Sequence, residues 1–395
     1  MILLVGKKDF RMLAKMMLIT ILFLFASVSG ALEPVVRLIP QEIYGDQVLD
    51  LLGRRGQDGI LIMQFTFFTD NRENSYPKRI AQKLVEIHEQ NDRAPILVAL
   101  ESRKDANEAN GKGASQRNAK TKKLLNDAGI AVADIYGHSQ NGVSHAKLVM
   151  VGDEVIAGSN NLTKQSTDIG ANNEMNLAVR SKKIAGAVRE YVSRIISNPG
   201  QMVDMEVQDG SVRLLTDRLH FEELVGQIKR AEQGDQIGLS MYQFLYRNES
   251  DLQAKQVLDE LIAAHKRGVQ LEIFLNRAQD LSTQNTGANF RVAELLLQEG
   301  VSKIYFDPEA KISHSKFLYR ISGGEKVAVI SSVNIYRGDF NDNHQLTWVV
   351  KDVAVIDQLV AYFKQQIAKD GTLASKILKE SRGSISVGGS CKALF

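Results

Sequence analysis

Along the chain, continuous apolar runs of strand length alternate with amphipathic stretches of helical period, and the alternation is written twice in one order. GILIMQFTFFTDN (Gly59–Asn71) parallels QIGLSMYQFLYRN (Gln236–Asn248), with Gln64-Phe65 set against Gln243-Phe244. Helical patterns follow, IAQKLVEIHEQ and QAKQVLDELIAAHKRG, and then the strand-like APILVALES and VQLEIFLNR. KLLNDAGIAVADIYG and AELLLQEGVSKIYF each read as a helix closed by glycine and followed by a strand. HAKLVMV and HSKFLYRI then open a final hairpin in each half.

Strand, helix, strand, helix, strand and hairpin, given twice, predict an α/β protein of two lobes with helix-covered sheets. The lobes span 32–200 and 205–380, joined near Ser197–Gly210. The offset between matching residues falls from 179 at Gln64/Gln243 to 169 at His145/His314. The first lobe therefore carries an insertion, placed in the polar, basic segment ESRKDANEANGKGASQRNAKTKK. That segment has the length of a functional loop and equally of a solvated surface loop.

In a strand, residues two apart share a face, so His145 and Lys147 point one way together, as do Ser159 and Asn161. A turn centred on Asp153 sets His145 opposite Asn161 and Lys147 opposite Ser159; a two-residue turn would throw these pairs onto opposite faces. The second hairpin keeps the parity if its turn centres on Gly324, with His314 opposite Asn334 and Lys316 opposite Ser332. Asp153 itself reads as a supporting residue that fixes the turn.

Imidazole, ammonium, hydroxyl and amide repeated on one sheet face suit an anionic tetrahedral substrate. Lys147 and Lys316, with Ser159, Ser332, Asn161 and Asn334, would hold the non-bridging oxygens of a phosphoryl group. One histidine would attack phosphorus to give a phosphohistidine, while the other protonates the departing oxygen and then activates water. With lysines supplying positive charge, the expected site uses neither metal nor cofactor. His88, His138, His220, His265 and His344 show no repeated partners and read as surface or packing residues.

His145, Lys147, Asp153, Gly158, Ser159 and Asn161 resemble the signature of the phospholipase D superfamily: His-x-Lys, an aspartate about five residues on, then Gly-Ser-x-Asn. The aspartate falls one place late. His314, Lys316, Ser332 and Asn334 match again, with Ser331 in place of glycine and SGGEK in place of the aspartate. The doubled motif is specific for the superfamily and weakly specific for substrate. The resemblance implies two phospholipase D-like α-β-α lobes about a pseudo-twofold axis, with both hairpins in one cleft. It also implies a site complete in a monomer and metal-independent phosphodiester chemistry. Members carry an acidic residue downstream of each motif, in an Asn-x-Glu setting, that orients the histidine. Asn172-Asn173-Glu174 matches in the first lobe, and NDNHQ places Asn343 or Asp342 in the second. The resemblance thus implies Glu174 beside His145, with His145 as nucleophile and His314 as general acid.

The superfamily includes lipid hydrolases, nucleases and cardiolipin or phosphatidylserine synthases. FTFF and MYQFLY lean toward a lipid partner, whereas Lys112, Arg117, Lys120, Lys122 and Lys123 would track a nucleic-acid backbone. The reading is phospholipase D-type hydrolysis of a phospholipid to phosphatidic acid and free head group, with peripheral membrane contact. The alternatives are an exported endonuclease, a phosphatidyltransferase of the cardiolipin synthase kind, and an inactive phosphate-binding module.

The ends of the chain change the charge picture. Lys7, Lys8, Arg11 and Lys15 precede the apolar run Met16–Val28 and the small residues Ser29, Gly30 and Ala31, the layout of a signal peptide over residues 1–31. The run is shorter than the ~20 residues of a spanning helix, so export to the periplasm or beyond is expected, an uncleaved anchor being the alternative. Removing four bases and Asp9 brings the formal charge from +3 to zero, which leaves no global excess to gather nucleic acid. The only cysteine, Cys391, lies in the Gly/Ser-rich tail 381–395 and cannot form an internal disulfide.

Overall fold

The computed structural model describes residues 33–70, 74–90, 94–103, 114–168, 172–246, 251–277, 288–308 and 311–385. The expected signal segment, Lys112 and most of the expected tail lie outside them; the helix Ala374–Ile385 runs into the start of that tail. The first lobe is built on β1 (Val35–Pro40), β2 (Ile60–Gln64), β3 (Ile96–Glu101), β4 (Ala131–Ile135), β5 (Leu148–Val151), β6 (Glu154–Gly158), β7 (Asn172–Asn173) and β8 (Met175–Arg180). The second uses β9 (Glu206–Asp209), β10 (Val212–Thr216), β11 (Gln236–Met241), β12 (Gln270–Leu275), β13 (Ile304–Phe306), β14 (Ile312–Ser313), β15 (Phe317–Ile321), β16 (Lys326–Ser331), β17 (Leu346–Val350) and β18 (Thr372–Leu373).

The first sheet runs β1-β8-β6-β5-β2-β3-β4, and the second contains the same series as β10-β17-β16-β15-β11-β12-β13, extended by β9 and β18 at its edges. The parallel strands β2 and β3 are buried along their whole length, because helices cover both faces, and so read as unbroken apolar runs. The helix Tyr76–Gln90 shows the complementary pattern, turning Ile80, Leu84 and Ile87 inward at helical spacing. Each lobe has an outer core of its own. A third core is shared: Ile184, Val188 and Ile195 from the helix Lys182–Ser197 meet Ile356, Leu359 and Phe363 from the helix Val353–Asp370 between the two sheets. Trp348 lies fully buried in it and donates its indole N–H to the Ala157 carbonyl of the other lobe at 3.1 Å.

Several expectations need correction. Met63 faces Leu148 and Ser240 faces Phe317, so Phe65 corresponds to Tyr242 and Phe67 to Phe244. The pairing of Gln64-Phe65 with Gln243-Phe244 is two residues out, a slide that preserves strand parity and so leaves no trace in the apolar pattern. The later half of the expected insertion is the helix Ala114–Asp127, whose Lys122 and Lys123 pair with Asp134 and Asp127 at 2.5 Å each. The first hairpin turns in two residues, Gly152 and Asp153, with Gly152 at φ 61°. The second turns in four, since Ile321 pairs with Lys326. Both registers are therefore one residue from the expected ones: Gly158 N–H reaches the Lys147 carbonyl at 3.3 Å, and Ser331 N–H reaches that of Lys316 at 3.0 Å. Parity does not disperse the site, because the histidines and serines lie beyond the ends of the paired ladder.

Candidate active site

Beyond those ends the chain is held by the opposite lobe. Ser144 bridges in parallel to His344, and the His145 and Ala146 amides both donate to the His344 carbonyl at 2.9 Å. In mirror fashion β14 pairs with β7, and His314 N–H donates to Asn173 O at 2.8 Å. Buried carboxylates secure the residue before each histidine: Ser144 N–H donates to Glu101, and Ser313 N–H to Asp307 at 2.6 Å. Each histidine-bearing strand end is thereby fixed at both sides by buried hydrogen-bonding groups.

The two ammonium groups are held in matching geometry. Lys147 Nζ donates to the carbonyl of His145 at 2.5 Å, and Lys316 Nζ to that of His314 at 2.6 Å. They lie 5.3 Å and 5.0 Å from the ring centres of Phe65 and Tyr242, whose edges also meet His145 and His314. Burial and the neighbouring Lys316 pull the Lys147 pKa far below the ordinary lysine value, and burial brings Lys316 to about 8. Burial followed by Lys147, Lys316 and His314 pushes His145 well down, so both pairs act on one another inside a single site. Each ammonium keeps further N–H donors for an anionic oxygen.

The orienting residues cross between lobes. Glu174 Oε2 lies 2.8 Å from His314 Nδ1, so Glu174 serves His314 and not His145. The expectation failed because the neighbour in sequence belongs to one lobe and the neighbour in space to the other. Glu174 is fully buried, which raises its pKa, but His314 and Lys316 outweigh burial and hold it below the usual carboxylate range. The counterpart of Glu174 is neither Asn343 nor Asp342. Ser159 N–H donates to Met175 O and Ser332 N–H to Leu346 O, so Glu174 is matched by Gln345. Gln345 Nε2 stands 3.4 Å from His145 Nδ1.

The serines support these residues. Ser332 donates to Gln345 Oε1 at 2.6 Å, and Ser159 accepts from Met175 N–H at 2.9 Å while its hydroxyl helps to lower the pKa of Glu174. They were expected to face substrate and instead hold the groups that orient the rings. The Asn161 and Asn334 side-chain oxygens are buried without hydrogen-bond partners among the described residues. Asn334 Nδ2 donates to Asp339 Oδ2 at 2.8 Å, and Asp339 Oδ2 is 3.8 Å from His145 Nδ1. Asp153 stands at the far turn of the hairpin, ion-paired with Arg55 at 2.5 Å.

Sequence reasoning overlooked Phe65, Tyr242, Gln345 and Asp339, and also His344, which is buried against Asp217 at 2.9 Å while its backbone anchors His145. It also overlooked a repeat. Asn118 clamps the Phe65 carbonyl and the Phe67 amide as Asn289 clamps those of Tyr242 and Phe244. A signal was present: Asn118 and Asn289 stand at the same spacing before the glycines that close their helices, Gly129 and Gly300, but the two-residue slip hid the match. His88 and His265 likewise repeat, each lying over a left-handed glycine, Gly129 or Gly300.

The family described as "Cardiolipin synthase, PLD-like domain" matches the chain twice, over residues 54–196 and 224–367. Among solved structures the chain is similar to a phosphatidylserine synthase from Haemophilus influenzae Rd KW20, at 8% identity and a TM-score of 0.63, covering 88% of this chain and 93% of that one. It is also similar to a polyphosphate kinase from Porphyromonas gingivalis, at 14% identity and TM-score 0.54, covering 88% of this chain and 52% of that one. A phospholipase D family member, NUC from Salmonella typhimurium, aligns at 16% identity and TM-score 0.33 over 41% of this chain and 97% of that one. At such identities the likeness concerns fold. No curated protein matches the sequence.

Proposed function

The chain belongs to the PLD-like domain family, which acts on phosphodiesters, and from that premise we propose that it hydrolyses a phospholipid head group by double displacement through a phosphohistidine. The observation that carries the reading is the convergence of two imidazoles and two buried ammonium groups on strand ends pinned across the lobes. A phosphodiester is anionic and repels a nucleophile; two lysines neutralise that charge in a site where water does not screen it. Two rings are needed because one must arrive unprotonated at phosphorus while the other delivers a proton to the leaving oxygen.

For a lipid over a nucleic acid, the support is the local charge balance: Lys122 and Lys123, which favoured a polyanion, face Asp134 and Asp127. The same phosphohistidine passes to an alcohol when one replaces water, so hydrolysis and transfer differ in the acceptor alone. The test is a parallel assay, in chelator, on phosphatidylcholine vesicles with and without added primary alcohol, on single-stranded and duplex DNA, and on an aryl phosphodiester. Release of choline with phosphatidic acid is expected. Cleavage of DNA with untouched vesicles would replace the lipid reading, and complete inactivity toward every diester would end the enzymatic one.

A further inference from the structure

We propose that His314 is the attacking nucleophile and that Asp339 is the positioning carboxylate of His145, in place of the position now occupied by Gln345. The inference rests on the phosphodiesterase reading and concerns how this chain divides the labour between its two rings.

An ionised carboxylate only accepts hydrogen bonds. Glu174 against His314 Nδ1 at 2.8 Å therefore fixes the hydrogen on Nδ1 and leaves the lone pair on Nε2, the form that attacks. An amide nitrogen only donates. With Gln345 Oε1 taken by Ser332, its Nε2 faces His145 Nδ1, so neutral His145 carries its hydrogen on Nε2 and has no lone pair there to attack with. The lobes thus hold their rings in opposite tautomers.

The second lobe has not lost its carboxylate; it carries one elsewhere. The spacing that matches Ser159 with Ser332 matches Ser166 with Asp339. Asp339, fully buried on the short helix Arg337–Asn341, is held by the Asn334 amide at 2.6 Å, by Asn334 Nδ2 at 2.8 Å and by Asn343 Nδ2, with Oδ2 3.8 Å from His145 Nδ1. Once His145 is protonated, both its nitrogens donate. Gln345 Nε2 cannot accept, and the carboxylate oxygen facing Nδ1 is Asp339 Oδ2, which at 3.8 Å must draw closer to take that hydrogen. The other charged or titratable groups facing His145 are Lys147, Lys316 and His314, all of which oppose its protonation, as burial does.

His314 Nε2 forms the N–P bond as the P–O bond to the leaving group breaks, and that oxygen takes the proton from His145 Nε2. His145 is left as the Nδ1–H tautomer, its hydrogen still bonded to Nδ1 and pointed at Asp339, in contrast to the Nε2–H tautomer that Gln345 favours in the resting site, and it accepts a proton at Nε2 from water. The water oxygen bonds to phosphorus, and the N–P electrons return to His314.

The first test uses the full chain with an aryl phosphodiester bearing a nitrophenolate leaving group, quenched in alkaline denaturant and mapped by peptide mass spectrometry. The phosphoryl adduct is expected on His314, and an adduct on His145 overturns the assignment. The second uses Asp339→Asn, expected to keep a nitrophenolate burst, because that leaving group needs no acid, while steady-state kcat falls by about 10- to 100-fold with little change in KM. Adding Gln345→Glu should restore most of the rate and move the alkaline limb of the pH profile upward. If the double variant is no faster than Asp339→Asn, Asp339 is a prop for Asn334 and Asn343, and the inference falls. A wild-type chain that turns over no diester would defeat both this inference and the reading beneath it.

Discussion

Lys316 has no exposed surface, and burial brings its ammonium to about 8, with Glu174 and Asp339 opposing the fall. Activity and stability should therefore move in opposite directions at alkaline pH. If the charged form binds the phosphoryl oxygens, kcat/KM should drop about tenfold per pH unit above about 8. The unfolded chain still binds that proton up to the ordinary value of 10.5, so between about 8 and 10.5 the unfolded state holds more protons and folding stability rises with pH. A pH–rate profile beside urea midpoints at about pH 7.5 and 9.5 checks this; loss of activity that follows unfolding would refute it. At this scale the sequence revealed His145, Lys147, His314 and Lys316 because the pair occurs twice. It concealed Gln345, since a search for a second carboxylate passes over an amide, and Asp339, which sits on a different element from Glu174.

At the scale of elements, the turn 137–142 shows how tightly the lobes approach. A Cβ added at Gly142 would lie 2.0 Å from the Asp342 carbonyl oxygen of the other lobe, and one at Gly137 would lie 2.6 Å from it. His138 N–H also donates to that oxygen, at 3.0 Å. Gly142→Ala should cost about 1–3 kcal/mol and lower activity by displacing the His145 strand end. Gly186, inside the helix Lys182–Ser197 with nothing within 4 Å, should gain about 0.5–1 kcal/mol as alanine. Thermal melts of the two variants distinguish close approach from a general effect of side-chain addition. The βα succession was legible from periodicity, whereas β1 and β10 were not, although Val36-Arg37-Leu38 and Val212-Arg213-Leu214 repeat. Each pairs antiparallel with a strand distant in sequence, β8 or β17, and no local spacing reports such a partner.

For the whole molecule, the shared core governs cooperativity. Because Leu61, Leu177, Tyr319, Trp348 and Phe363 belong to one cluster, the lobes should unfold in one transition, although a connecting segment near Ser197–Gly210 separates them in sequence. Trp348→Ala should cost about 3–5 kcal/mol and leave the transition single; two separated calorimetric peaks in the wild type would contradict the shared core. That both hairpins meet was legible only through the family likeness, because the pairing of Ser144 with His344 and of β14 with β7 depends on geometry between the halves. The crossing also bears on inheritance. A lone lobe of this kind leaves its histidine without an anchor, so an ancestor with one lobe would have worked as a pair of identical copies. Joining two copies in one chain ends the requirement that they stay alike, and each mutation is then felt first by the ring it does not carry. Glu174 beside His314 and Gln345 beside His145 are the place where the two halves of this chain differ most directly at their rings.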